Sequence, residues 1–174
     1  KYALARRLHS ILEPWTMARV AGLIAVSDAY IATLRRRYSW ITEQMCATIP
    51  FSASEYDAAL LSRYPQQNPI FTPRNGSVHA VYVGRAGDDM APALRILFEA
   101  LQRASSADAS VAALRLHFVG TDYATDDRAR KTVKPIADAC GVGAQVDEQT
   151  GRVPYFQALQ LLQDADLLLL VGGA

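Results

Sequence analysis

Two glycine-containing turns place polar residues where a strand is expected to end and a helix to begin. Gly84 and Arg85 follow one apolar run, and Gly120 and Thr121 follow the next. A glycine there lets a ligand approach the backbone, and the adjacent arginine supplies a fixed charge for a diphosphate. A tight strand-to-helix turn also favours glycine without any ligand, so both interpretations stay open.

A third polar stretch leads into the helix predicted at 153–164. It contains Glu148, Arg152, Pro154 and Tyr155, with the proline tolerated in the first helical turn. Taken alone, these residues favour a surface loop with a helix cap.

Other chemistries find less support in the sequence. There is no Gly-x-x-x-x-Gly-Lys-Ser/Thr loop and no Gly-x-Gly-x-x-Gly after a strand. We expect His9, His79 and His117 not to cluster, and no Cys or His spacing typical of a metal site is present, so no protein-built metal site is predicted. Asp88 and Asp89 are expected to cap the helix that begins near residue 90.

Composition narrows the class of protein. The 174 residues are 51% apolar and 20% charged, with a formal charge of +1, so no nucleic-acid footprint is predicted. No stretch reaches the length of a transmembrane helix, which leaves peripheral membrane association open. Cys46 and Cys140 show no pairing pattern, and reduced thiols in a cytoplasmic protein are expected.

The elements that must position these residues alternate between strand and helix. This pattern predicts an α/β fold with a Rossmann-like parallel sheet covered by helices on both faces. The predicted strands cover residues 22–26, 45–49, 78–83, 114–119, 144–146 and 167–171. The predicted helices cover residues 2–17, 28–38, 55–63, 90–104, 128–140 and 153–164. A Pro-, Gln- and Asn-rich stretch suggests a boundary between two domains at residues 51–76.

Several stretches, in order, resemble the retaining GT-B glycosyltransferases of the family 4 type (glycosyl transferases group 1). The matching segments are residues 23–27, 48–51, 81–85, 116–120 and 165–170, with Glu13 on the helix before the first. The resemblance implies that residues 1–50 are the C-terminal part of an acceptor-side domain. It makes 51–76 an interdomain linker and 77–174 the N-terminal part of a donor-binding domain.

The same resemblance implies transfer of a sugar from a nucleotide-sugar donor to a glycan, lipid or small-molecule acceptor, with retention and with no cofactor or protein-bound metal. In that family a basic pair after the first donor-domain strand contacts the diphosphate. Arg85 matches the arginine of that pair, whereas residues 86–90 contain no lysine. The candidate donor-binding residues are Gly84, Arg85, Gly120, Thr121, Glu148 and Arg152, and no catalytic residue is assigned.

Two alternatives stay open from the sequence: a nucleotide-sugar epimerase of GT-B fold, and a noncatalytic Rossmann-like binding domain. The chain begins with Lys rather than Met, and its last apolar run stops at Gly-Gly-Ala. We therefore expect a fragment truncated at both ends, which would not turn over a nucleotide sugar by itself.

Overall fold

The computed structural model describes residues 2–124 and 128–172. The chain divides into two compact units, Lys1–Ser54 and Glu55–Ala174, which are described separately. Parallel strands alternate with helices in both, so the predicted α/β class with Rossmann-like sheets is confirmed. Within the described part of the chain, no helix has the length and apolar character needed to cross a membrane.

The first unit contains a pair of short parallel strands with two helices. Its elements are α1 (Tyr2–Met17), β1 (Leu23–Ala25), α2 (Asp28–Arg37) and β2 (Cys46–Thr48). The Ser27 hydroxyl accepts a hydrogen bond from the Ala29 amide at 3.3 Å and so caps α2. The Tyr38 hydroxyl donates to Glu13 at 2.8 Å, which ties the end of α2 to α1.

The second unit is built on a four-stranded parallel sheet in the order β5-β4-β3-β6. Its elements are α3 (Glu55–Arg63), β3 (Val78–Val83), α4 (Ala91–Ala107), α5 (Ala109–Ala112), β4 (Leu114–Val119), α6 (Lys134–Ala139), β5 (Val146–Gln149), α7 (Tyr155–Asp164) and β6 (Leu167–Leu168). The chain steps outward from β3 to β4 and β5, then returns to place β6 on the other side of β3. The strand order therefore reverses at β3, and ligands of open α/β sheets bind beside such a point.

Apolar side chains cover both faces of this sheet. One face packs against α4 and α6 through a core that includes Leu94, Phe98 and Phe118, all fully buried. The Phe98 and Phe118 rings meet edge to face, with centroids 6.1 Å apart. On the opposite face, Val81 and Val119 pack with Leu161 of α7 and with partly buried Ile70 and Phe71. This packing fixes the carboxyl ends of β3 and β4 relative to α7.

The residues after α3 pack onto the second unit rather than standing apart from it. The Gln66 amide donates to Gln160 at 2.9 Å, and the Asn68 side chain donates to Asp164 at 3.0 Å. The predicted linker, residues 51–76, thus overlaps the second unit from Glu55 onwards.

Among the predicted elements whose bounds differ in the structure, three bear on the sheet or on the helix after β4. The strand predicted at 144–146 is instead Val146–Gln149, where a polar sequence pairs along β4 at the sheet edge. The helix predicted from 128 begins only at Lys134, because Pro135 has no amide hydrogen and fits only the first turn. The strand predicted at 167–171 pairs with β3 over Leu167–Leu168 only.

Candidate functional site

A cavity of about 330 Å³ lies at the carboxyl ends of β3 and β4. Four of the six candidate residues line it: Gly84, Arg85, Gly120 and Arg152. The remaining lining residues are apolar or aromatic, namely Val83, Val119, Tyr123, Val153, Tyr155 and Ala158. Two cationic groups therefore face a small cavity with otherwise apolar walls, at the edge of the sheet where ligands of α/β proteins bind.

The two glycines directly follow β3 and β4 and line the cavity. The Gly84 amide donates to Val119 and the Gly120 amide donates to Gln149, each at 2.9 Å, which continues the sheet for one more step. Gly120 then turns with φ of 74°, a conformation that side chains disfavour. The turn itself accounts for Gly120, and the missing side chain also gives a ligand access to the backbone.

Arg85 is held in place by an ion pair. Its guanidinium donates to the Asp89 carboxylate at 2.7 Å, and both side chains are less than half exposed. The hydrogen bond from Arg85 holds the pKa of Asp89 below its usual range. A side chain at Gly87 would overlap both partners, so this glycine makes room for the pair.

This ion pair corrects one prediction from the sequence. Neither the 3₁₀ turn Asp88–Met90 nor α4 receives a side-chain cap in the structure. Asp89 binds Arg85 instead of capping α4, because a charged guanidinium is the stronger partner for a carboxylate. The Arg85 charge is therefore partly compensated before any ligand binds.

Arg152 supplies the second cation through a different contact. Its guanidinium carbon lies 4.8 Å from the centroid of the Tyr123 ring. The aliphatic part of the side chain passes close to Gly120, whose hypothetical Cβ would lie 4.0 Å from Arg152 Cγ. Stacking on an aromatic ring orients the guanidinium while leaving its N–H groups free for an anion.

Two tyrosines were not among the candidate residues, although they line the cavity. Tyr123 lies four residues after the end of β4, and this position is the sequence feature that could have predicted its place in the cavity. The Tyr155 hydroxyl donates to Asp57 of α3 at 2.9 Å, and this hydrogen bond raises the pKa of Tyr155. Tyr155 is thus anchored by a contact between residues 98 positions apart, which the sequence gives no means to foresee.

Thr121 and Glu148 lie outside this cavity. Thr121 is 2% exposed, and its hydroxyl donates to Glu148 Oε1 at 2.8 Å. The Glu148 carboxylate also accepts from the amides of Thr132, Val133 and Lys134 at 3.0, 3.1 and 2.7 Å. Glu148 therefore lies in β5 and caps the start of α6, rather than standing in the predicted polar loop.

The prediction that the histidines do not cluster is wrong. His79 of β3 and His117 of β4 are buried, with His79 Nδ1 and His117 Nε2 2.9 Å apart. Parallel pairing sets His117 opposite Val81, two residues from His79, and so brings both rings to one face of the sheet. Among the described residues, no group of three or more His, Cys, Asp or Glu side chains is arranged to hold a metal ion.

Comparison with known proteins finds similarity to solved structures only. No family model matches the chain, and no curated protein matches it. The chain is similar to the crystal structure of a glycosyltransferase from Rickettsia africae ESF-5, with a TM-score of 0.49 and 13% sequence identity. The match covers 84% of this chain and 37% of that one, so this chain spans well under half the length of the Rickettsia protein.

Proposed function

We propose that the cavity at the ends of β3 and β4 binds the diphosphate of a nucleotide sugar, and that the protein is a retaining GT-B glycosyltransferase. The observation that carries the proposal is the convergence of Arg85, Arg152, Gly84 and Gly120 on one cavity. The resemblance of residues 81–85 and 116–120 to the donor-domain strands of that family supports the same proposal. The acceptor is a glycan, a lipid or a small molecule, and the cytoplasm is the expected compartment.

The charges of the cavity suit a diphosphate. Guanidinium groups bind phosphate oxygens through paired, charge-assisted hydrogen bonds. Arg85 and Arg152 reach the cavity from different loops, so each can bind one phosphate of the pair. Among the described residues, no carboxylate lines the cavity. The nearby Asp89 is paired with Arg85.

Arg152 offers an explanation for the missing lysine. The resembling family places a lysine shortly after the arginine, whereas here residues 86–90 contain none and Asp89 pairs with Arg85. We infer that Arg152, oriented by Tyr123, provides the second positive charge. The role of the lysine is thus assigned to a residue from another loop.

The size and walls of the cavity suit part of a nucleotide sugar. A volume of about 330 Å³ lies at the lower end of the range for small-molecule sites. Tyr123 and Tyr155 provide aromatic surface, and Val83, Val119 and Val153 provide apolar surface, next to the cations. Such surfaces bind the base or ribose, while the arginines bind the phosphates.

The experiment is a binding screen followed by product analysis. Saturation-transfer NMR with UDP-glucose, GDP-mannose and ADP-glucose should show at least one donor bound, and the matching nucleoside diphosphate should displace it. In the complete protein, acceptor-dependent release of nucleoside diphosphate with retained anomeric configuration supports the transferase. Epimerised nucleotide sugar formed without acceptor supports the epimerase instead, and binding without either reaction supports a noncatalytic domain. If no nucleotide sugar or nucleoside diphosphate binds, the proposal fails.

A further inference from the structure

A buried histidine pair lies on the sheet face away from α4 and α6, outside the proposed donor site. His79 and His117 are 3% and 4% exposed. The Phe71 ring stacks on both, with centroids 4.0 Å from His79 and 4.9 Å from His117. Phe71 is held in turn by Asn68, whose Oδ1 accepts the amides of Ile70 and Phe71 at 2.9 and 3.1 Å. The histidines are thus covered by the segment 68–71.

Hydrogen bonds determine where the protons of the neutral pair lie. Asn75 Oδ1 accepts the Ser77 amide at 3.0 Å, so this atom is the oxygen of the side chain. His79 Nε2 lies 3.0 Å from the same oxygen and must therefore donate to it. A neutral His79 then has an unprotonated Nδ1, which accepts a hydrogen bond from His117 Nε2–H, with the two nitrogens 2.9 Å apart. Both neutral rings consequently carry their proton on Nε2.

This arrangement leaves His117 Nδ1 as the only site for a further proton. The atom is buried and has no hydrogen-bond partner among the described residues. Asp147 Oδ2 of β5 lies 3.5 Å away on a side chain that is 73% exposed. A proton on Nδ1 would face that carboxylate, yet it would place a positive charge on a buried ring under Phe71, and burial disfavours the charged form.

The charges around the pair act in both directions. Burial lowers the pKa of His117 and of His79, and Arg115 on β4 lowers both further. Asp147 opposes this effect at His117, and Asp166 opposes it at His79, whose backbone amide it accepts at 2.8 Å.

His117 also lines a cavity of about 220 Å³, and three further charged residues line the same cavity. Lys131 and Lys134 add positive charge there, and Lys134 is bound to the carbonyls of Gly143 and Val146. The third, Glu148, accepts a hydrogen bond from the Lys134 amide at the start of α6. Burial is thus the largest effect on both rings, and it favours the neutral pair.

We propose that His79, His117 and Phe71 form an acid-sensitive clasp, which holds residues 68–71 on the sheet while both rings are neutral and releases them when His117 takes up a proton. In the open state water solvates the imidazolium, so acid shifts the local equilibrium toward opening. The same face carries Val119 and Val153, which pack with Ile70 and Phe71 and also line the candidate site. Release of the segment therefore changes two walls of that site. The clasp does not depend on the proposed function.

The direction of the pH effect follows from the lowered pKa values. A histidine whose pKa in the closed state lies below that of the open state stabilises closure fully above the open-state value, which is about 6.5. That stability is lost as the pH falls from about 6.5 toward the pKa of the closed state. A histidine that stays neutral in the closed state and takes up its proton only after opening raises the opening equilibrium about tenfold for each pH unit below about 6.5, so His117 contributes about tenfold at pH 5.5.

Two measurements on the unmodified chain test the clasp. Long-range ¹H–¹⁵N NMR at pH 8 should show both rings protonated on Nε2, and on titration His117 should gain its proton on Nδ1 below pH 6.5. Amide hydrogen exchange should show the protection factors of Ile70 and Phe71 falling about tenfold between pH 7.5 and 5.5, after correction for intrinsic rates.

The control is His117→Gln, whose side-chain amide keeps a donor toward His79 and does not titrate. In this variant the pH dependence that His117 contributes should disappear, so the loss of protection at Ile70 and Phe71 should be about tenfold smaller than in the unmodified chain. An Nδ1-protonated His117 at pH 8, a titration at or above pH 6.5, or an unchanged loss of protection in His117→Gln would each overturn the proposal. The NMR result stands even if the variant does not fold.

Discussion

Replacing Glu148 with alanine should destabilise the second unit strongly, without acting through a bound ligand. The carboxylate accepts hydrogen bonds from the Thr121 hydroxyl and from the amides of Thr132, Val133 and Lys134, over distances of 2.7 to 3.1 Å. Alanine would leave four donors without their acceptor, and Val133 is 0% exposed. The start of α6 would also lose its only described side-chain cap.

The magnitude follows from the burial of these donors. A hydrogen bond to a charged group contributes about 1.5–3 kcal/mol, but four bonds to one carboxylate are not additive. Water entering the neighbouring cavity of about 220 Å³ would partly satisfy the donors that Glu148 leaves. We therefore expect Glu148→Ala to lower the free energy of unfolding by about 3–5 kcal/mol. Glu148→Gln keeps one acceptor oxygen and should cost about 1–3 kcal/mol.

Urea denaturation followed by circular dichroism measures both values. The matched control is Glu99→Ala on α4, where a half-exposed carboxylate pairs with Arg103 at 3.4 Å. This control should change the free energy of unfolding by no more than about 0.5 kcal/mol. If the free energy of unfolding of Glu148→Ala lies within about 1 kcal/mol of the value for the unmodified chain, the capping role is refuted, because an ordinary surface substitution has an effect of about that size. If such a stable variant also loses nucleotide binding, Glu148 would be assigned to the donor site, as predicted from the sequence.

Three further predictions concern the site and the division of the chain. Gly120→Ala should cost about 1–2 kcal/mol of stability in urea denaturation, because alanine is strained at φ of 74°, and it should also weaken nucleotide binding. The control is Gly76→Ala, at φ of 91° but outside the cavity, which should lose stability without losing nucleotide affinity. Equal nucleotide affinity in both variants would contradict the placement of the nucleotide at Gly120. Asp89→Asn should tighten nucleoside diphosphate binding by about two- to fivefold in calorimetry, since Arg85 loses its competing anion; weaker binding would show that Asp89 positions Arg85 for the ligand. Limited chymotrypsin digestion should cut first after Phe51, which is 92% exposed beside the boundary between the units, and early cleavage within 78–119 would contradict that boundary.

The central strands of the second unit could be predicted because their chemistry is local. Residues 78–83 and 114–119 are mainly apolar, apart from His79, Arg115 and His117, and a glycine follows each; β3 and β4 have those bounds. A strand buried on both faces needs mostly apolar side chains, so its sequence is distinctive. The cavity at their carboxyl ends follows from the same rule, which is why Gly84, Arg85 and Gly120 lie together.

The edge of the sheet could not be predicted in the same way. β5 reads Val-Asp-Glu-Gln, and only its pairing with β4 makes this polar segment a strand. Glu148 is buried because the start of α6 supplies donors, which is a tertiary effect that a single sequence does not encode locally. The donor contact predicted for Glu148 was made without knowledge of these hydrogen bonds to the start of α6.

The histidine pair shows the role of register. His79 and His117 are 38 positions apart and reach each other only because β3 and β4 are parallel and set Val81 opposite His117. A shift of one residue would move one ring to the other face of the sheet. Clusters of this kind become visible only once the register is known.

The most direct test of the proposed diphosphate site is calorimetric titration of the chain with UDP, GDP and ADP. At least one of these nucleotides should bind, and Arg85→Ala and Arg152→Ala should each weaken its affinity by about 10- to 100-fold. Arg103→Ala, which removes an exposed arginine from α4 outside the cavity, should leave the affinity unchanged within about twofold. Binding that survives both substitutions at Arg85 and Arg152, or no binding of any of the three nucleotides, would contradict the assignment of this cavity.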